Sequence, residues 1–158
     1  MEIQFKDGIL FTSMQLSFMG ESKIIKNVVI DTGAAETIIS PDVVEDIGII
    51  AEYNDSVNSF YGVGGSLHNF FSKEVDEISF GKVKLNEVKL DFGVIDPNGY
   101  INGLIGLDLL IKLGAVIDLK NLTMTIENIW RSRHPWRLLI FRGTWLCITM
   151  HYRKFAVR

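Results

Sequence analysis

The strongest constraint on this chain is a period-two alternation of polar and apolar residues that keeps recurring between glycine-bearing turns. Across residues 9–19, Leu10, Thr12, Met14, Leu16 and Phe18 fall on one side, the signature of a half-buried strand. Gly20-Glu21-Ser22 makes a turn, and the β-branched run 24–30 reads as a buried strand that completes a hairpin. Residues 67–80 alternate again, and Gly81-Lys82 turns the chain. Val83, Leu85, Val88, Leu90 and Phe92 then supply the return strand before an Asp96-Pro97-Asn98-Gly99 loop. Strands are also expected at 49–53 and 57–61, the latter leading to Gly62-Val63-Gly64-Gly65. Three glycines in four positions favour neither helix nor strand interior, so this stretch is a turn at the tip of a long hairpin. The expected class is mainly all-β.

Two short helices interrupt the strands. Ser40 can cap a helix over 41–47, with Pro41 at its first position and Gly48 as its stop; a second runs over 107–113 and ends at Gly114. Strands at 115–118 and 122–127 around an Asn121 turn finish the core. Strand, glycine-bearing loop and short helix thus occur twice, at 28–48 and 101–114, without a longer internal repeat.

At 158 residues the chain makes one domain, and a two-lobed enzyme does not fit. The single Cys147 excludes an intramolecular disulfide framework, and three scattered His leave little for a metal, so chemistry without metal or cofactor is expected. The net charge of −3 hides a break. Residues 129–158 carry seven basic and no acidic residues, leaving the first 128 with nine basic against nineteen acidic, a balance of −10. All three Trp also lie in that last segment. We therefore divide the chain into a folded domain, 1–128, and a basic, Trp-rich extension, 129–158. The extension is read as foreign to the domain, as a weak contact for an anionic surface, or as part of the packing; no specific nucleic acid is expected. The opening residues hold no apolar run of the kind a signal peptide needs, which gives a cytoplasmic expectation. The apolar stretch 138–150 is broken by Arg142 and too short to span a bilayer.

Chemistry concentrates at Asp31. It follows the apolar Val28-Val29-Ile30 and precedes Thr32-Gly33, so its carboxylate stands where a buried strand emerges into a tight loop, a setting that perturbs acidity. Three letters alone also fit an ordinary turn. The company they keep is more specific: Val28-Val29-Ile30-Asp31-Thr32-Gly33-Ala34-Ala35-Glu36-Thr37, a glycine-rich hairpin tip about thirty residues later, and Gly103-Leu104-Ile105-Gly106 near the end of the core. In that order these resemble the retropepsin-like aspartic protease family, particularly its single-domain cellular and bacterial members, over roughly residues 2–128.

The resemblance implies a closed β-barrel-type acid protease lobe with one or two short helices, and it implies roles. Asp31 matches the catalytic aspartate, Thr32 the residue that knits two active-site loops together across a dimer axis, and Gly33 the glycine of the close turn. Tyr61, Gly62, Val63, Gly64 and Gly65 match the flap that covers bound peptide. Leu104, Ile105 and Gly106 match the apolar pair and glycine that brace the catalytic loop. Viral members usually have an arginine after that glycine, whereas Leu107 and Asp108 follow here, a pattern similar to cellular members. Ala35-Glu36 stands where viral members commonly have two acidic residues.

Physical chemistry sets a further requirement. Peptide hydrolysis without metal or covalent nucleophile needs one carboxylate to accept a proton from water and one carboxyl to donate to the substrate carbonyl. Two carboxyls about 3 Å apart cannot both ionise, so they share a proton and divide the two tasks. The chain has one Asp-Thr-Gly, so a homodimer has to supply the second. The expectation is an aspartic endopeptidase with peptide or protein substrates; the alternative is a catalytically silent peptide-binding or assembly module of the same fold. Asp91-Phe92-Gly93 matches a magnesium motif of kinases but lies in a strand pattern without its companions, and Asp118 reads as a solvated turn residue. His68 reads as a solvent-facing histidine on a hairpin arm, and Phe60, Phe70 and Phe71 as core or cross-strand aromatics.

Overall fold

The computed structural model describes residues 1–61 and 67–126. In chain order the described elements are β1 (Gln4–Lys6), β2 (Ile9–Phe18), β3 (Glu21–Ile30), β4 (Ile38–Ile39), β5 (Ser56–Tyr61), β6 (Leu67–Phe80) and β7 (Val83–Phe92). After these come β8 (Gly103–Ile105), α1 (Leu107–Leu113), β9 (Ala115–Asp118) and β10 (Thr123–Ile126). The two alternating hairpins expected from the sequence form as β2–β3 and β6–β7, both antiparallel.

Six strands close on themselves. β2 pairs with β3, β3 with β8, β8 with β4, β4 with β7 and β7 with β6. The ring shuts where β6 returns to β2, with Gln15 opposite Ser79, Leu16 opposite Ile78 and Ser17 opposite Glu77. Closure removes the unpaired edges an open sheet would present and turns one face of every strand inward. Met14 and Leu16 of β2, Ile25 and Val28 of β3, Ile78 and Phe80 of β6, Val88 and Phe92 of β7, and Ile105 of β8 are all buried in one core. Each such side chain contributes about 1.5–3 kcal/mol of burial. The short α1 adds Leu109, Leu110 and Leu113 from one face.

The order of the ring matters most for function. β8 is late in the sequence yet lies between β3, to which it is parallel, and β4, to which it is antiparallel. Val28, Val29 and Ile30 face Gly103, Leu104 and Ile105 in register, so β3 and β8 end side by side. A register shift between Thr12 and Met14 on β2 faces Asn27 on β3, whose φ of 56° is one that Asn tolerates better than most side chains. The Asn27 carbonyl accepts the Asn102 N–H and the Lys26 carbonyl accepts the Asn102 side-chain amide, which fixes the entry to β8.

A second, smaller sheet pairs β9 with β10. Residues 1–3 run along the other side of β10: Ile3 N–H donates to Leu122 O and Met124 N–H to Met1 O, with Glu2 bridging to Thr123.

Two local expectations are corrected. Residues 41–47 form two successive 3₁₀ turns, Pro41–Val43 and Glu45–Ile47, in place of one helix, and Ser40 provides no side-chain cap. Val44 departs from helical geometry at φ −133°, and its side chain is fully buried, so core packing overrides the helix signal. Gly48 ends the segment in the left-handed region as expected. Residues 49–53 are no strand; Ile49 is a single buried anchor, and the chain then turns, with Asp55 accepting the Glu52 N–H. The strands over 115–118 and 123–126 and the helix over 107–113 form where expected. Gly62, Val63, Gly64 and Gly65 of the expected hairpin tip and the 129–158 extension lie outside the described residues. Among the described residues no helix is long and apolar enough to cross a membrane.

Candidate active site

Asp31 is the first residue after β3, half-buried at the mouth of the barrel. Its backbone N–H donates to Ile105 O at 3.0 Å, extending the β3–β8 ladder by one bond and fixing where its side chain begins. The chain then turns sharply. Gly33 N–H donates to Asp31 Oδ1 at 2.8 Å, and Ala34 N–H reaches back to Asp31 O at 3.3 Å. One carboxylate oxygen is thus held by a backbone donor. A Cβ on Gly33 would come 3.2 Å from that same oxygen, so the glycine leaves room for the carboxylate. Thr32 and Gly33 are exposed at the turn.

The loop after Asp31 is locked to the end of β8 and the start of α1. Leu107 N–H donates to Ala34 O at 2.9 Å and Asp108 N–H to Ala35 O at 3.1 Å, so the first residues of the helix spend their unpaired donors on the Asp31 loop. Ile105 is fully buried and Leu104 half-buried. Gly106 is where the two segments touch: a Cβ there would stand 2.5 Å from Glu36 O, closer than any real contact. Of the expected brace, Ile105 and Gly106 meet the segment that carries Asp31, while Leu104 pairs with Val29 and Ile38.

Sequence reasoning missed the polar link that completes this brace. Thr37, 1% exposed, accepts the Gly106 N–H at 3.0 Å through Oγ1 and donates its hydroxyl to Asp108 Oδ1 at 2.7 Å. A hydroxyl in a buried position needs such partners, because an unpaired one is costly. Thr37 was visible as the one polar member of the run Thr37-Ile38-Ile39, and that was the available signal. Leu107 stands where viral members usually have arginine, and Asp108 after it bonds Thr37 of its own chain.

Tyr61 is the last residue of β5, in register with Leu67. Phe71 stacks on Phe92 with ring centroids 5.3 Å apart, and Phe70 is buried where a Cβ on Gly93 would overlap its ring, so both serve packing as expected. Asp91 lies in β7 and accepts the Ser72 hydroxyl at 2.6 Å, in keeping with a strand residue. His68 is half-buried on β6, its ring stacked on Phe70 at 6.3 Å. Asp118 caps its own turn, accepting the N–H groups of Lys120 and Asn121.

A family model described as aspartyl protease matches residues 15–109, which include both Asp31 and the β8–α1 brace. No curated protein matches the chain. Among solved structures it is similar to the retroviral protease-like domain of Ddi1 from Leishmania major, at 19% identity and a TM-score of 0.55, covering 76% of this chain and 89% of that one. It is also similar to a retropepsin-like aspartic protease from Rickettsia conorii, at 18% identity and a TM-score of 0.53, covering 77% of this chain and 93% of that one. The closed six-strand barrel, with one α-helix among the described residues, is the retropepsin-like fold, and the chain belongs to the aspartyl protease family.

Proposed function

We propose that this protein is an aspartic endopeptidase whose active form is a homodimer, with one catalytic Asp31 from each copy. The observation that carries the reading is the Asp31 carboxylate itself: half-buried, tethered through one oxygen to Gly33 N–H, and supplied once per chain. A single carboxyl can act as base or as acid at a given moment, and the reaction needs both.

In the dimer, Asp31 and the partner's Asp31 share one proton and hold a water between them. The ionised carboxylate takes a proton from the water as its oxygen attacks the peptide carbonyl carbon. The protonated carboxyl gives its proton to the carbonyl oxygen, forming a neutral tetrahedral gem-diol. Collapse of that species breaks the C–N bond, transfers a proton to the leaving amine and returns the pair to its singly protonated state. Thr32 would join the two active-site loops across the axis, and Tyr61, Gly62, Val63, Gly64 and Gly65 would cover an extended peptide bound as an added strand.

The test is cleavage of a peptide library by wild type and by Asp31→Asn at matched folded concentration, across acidic and neutral pH. Loss of cleavage with an unchanged unfolding transition supports the reading. Undiminished cleavage by Asp31→Asn rejects the mechanism, and tight peptide binding by wild type without any cleavage favours the silent peptide-binding module.

A further inference from the structure

We infer that the first stretch of the basic extension, residues 129–137, docks on its own domain, over the acidic cavity and apolar rim that flank α1. This surface is distinct from the Asp31 carboxylate, and its occupancy does not depend on peptide cleavage.

A cavity of about 580 Å³ lies among α1, the residues leading into β4, and strands β5 to β7, and its charged lining is Glu36, Glu87, Asp91, Asp108, Lys89 and Lys112. Four carboxylates against two ammonium groups leave it two charges negative. Three lysines elsewhere are paired: Lys23 with Asp46, Lys73 with Glu52 and Asp55, and Lys84 with Glu77. Among the described residues none of the six charged groups in the cavity is in an ion pair. Asp91 and Asp108 each accept one hydroxyl, from Ser72 and Thr37, and neither has a second hydrogen bond among the described residues. A concave surface of one net sign concentrates groups of the other.

The chain itself supplies such groups from a point beside the cavity. β10 ends at Ile126, opposite Ala115, and Ala115 is two residues beyond the end of α1. At about 3.3–3.6 Å per residue, Trp130 lies within roughly 14 Å of Ile126 and Arg137 within roughly 40 Å, whereas α1 spans only about 10 Å, so the segment can run the whole length of the helix. Residues 129–137 hold Arg131, Arg133 and Arg137 and no Asp or Glu, against a domain balance of −10. Taken at period two, the three Arg fall on one side and Trp130 and Trp136 on the other. α1 offers the matching apolar rim: it buries Leu109, Leu110 and Leu113 but leaves Ile111 68% and, one turn earlier, Leu107 38% exposed. Arginine forks onto carboxylates, and Trp covers apolar surface. The tether supplies the segment at roughly millimolar local concentration, so modest contacts suffice. Because Asp108 also holds Thr37, the docked segment bears on the brace behind Asp31.

All three Trp lie in the extension, so tryptophan fluorescence reports on it alone. The test uses full-length protein carrying Trp136→Phe and Trp145→Phe, in which Trp130 is the sole fluorophore. Acrylamide quenching of Trp130 is expected to be at least about twofold weaker at about 20 mM salt than at about 1 M, where ionic attraction is screened. Glu36→Lys with Glu87→Lys should abolish that protection, as should Arg131→Glu with Arg133→Glu. Combining the two pairs should restore it, whereas Glu21→Lys, the same charge change at the exposed β2–β3 turn, should leave it intact. Equal quenching at low and high salt, or protection lost as fully with Glu21→Lys, overturns the docking. Protection that appears only with rising protein concentration assigns the segment to a second copy, and protection that requires added anionic phospholipid vesicles assigns it to a membrane surface; either result overturns docking within one chain. None of these readouts involves peptide cleavage, so the proposed activity is tested separately.

Discussion

Thr37 couples the two halves of the site: its hydroxyl donates to Asp108 Oδ1 at 2.7 Å while accepting the Gly106 N–H at 3.0 Å. Through it the loop leaving Asp31, the end of β8 and the start of α1 behave as one body. Thr37→Val keeps the shape but strands a buried N–H and a carboxylate. It is expected to cost about 1–3 kcal/mol in urea unfolding, with Thr37→Ser recovering most of the loss.

Gly106 and Gly33 should respond differently to the same methyl group. At Gly106 the added Cβ meets the Glu36 backbone at 2.5 Å, so Gly106→Ala is expected to destabilise by at least about 1–3 kcal/mol and lower the melting temperature. At Gly33 the added Cβ meets only the Asp31 carboxylate, at 3.2 Å. Gly33→Ala is therefore expected to lower kcat while shifting the unfolding midpoint far less, a contrast that paired activity and melting assays measure directly.

Lys73 ties the turn after the two 3₁₀ segments to β6. Its side chain is 9% exposed and bonds Glu52 at 3.0 Å and Asp55 at 3.3 Å, with Phe18 beneath its ammonium. Burial pulls its pKa down, but the bonds to Glu52 and Asp55 outweigh that and hold it above the ordinary lysine value. Stability from a raised pKa is complete below the unfolded value and is lost as pH rises through the folded one. Lys73→Met is expected to cost about 1–3 kcal/mol at neutral pH, with hydrogen exchange accelerated first over residues 50–55. It should cost progressively less at strongly alkaline pH.

Two carboxylates make the opposite case. The Asn98 backbone N–H, joined by those of Tyr100 and Ile101, holds Asp96 below the usual carboxylate range. Asn121, through its backbone and side-chain amides, does the same for Asp118, with Lys120 adding a third bond. Stability from a lowered pKa is present above the unfolded value and lost as pH falls through the folded one. Both loops are therefore expected to stay closed at the mildly acidic pH where carboxyl pairs work. NMR titration should find both groups titrating below an unperturbed aspartate, and Asp118→Ala should flatten the acid limb of the stability profile.

The long hairpins were legible because their signal is local: alternation in β2 and in β6–β7, with turns at Gly20 and Gly81, specifies the pairing of neighbours. The insertion of β8 between β3 and β4 was not legible from periodicity. Gly103-Leu104-Ile105 is too short to show a period, and its parallel partner Val28-Val29-Ile30 lies some 75 residues away. Only the resemblance carried by Asp31-Thr32-Gly33 and Leu104-Ile105-Gly106 brought those segments together. Thr37 and Asp108 escaped for a related reason, since a hydroxyl and a carboxylate 71 residues apart announce a bond only once the backbone has joined them. At 41–47 the helix signals of Ser40 and Pro41 were outvoted by Val44, which the core draws inward.

The most direct test of the twin-aspartate account is subunit mixing. Wild type and an equal amount of Asp31→Asn are left to exchange at a concentration where both are fully dimeric, and cleavage is compared with the same quantity of wild type alone. Random reassortment leaves only a quarter of the dimers with two aspartates, so activity is expected to fall to about half. Activity unchanged by the added Asp31→Asn protein, under conditions where exchange is demonstrated, would contradict the account.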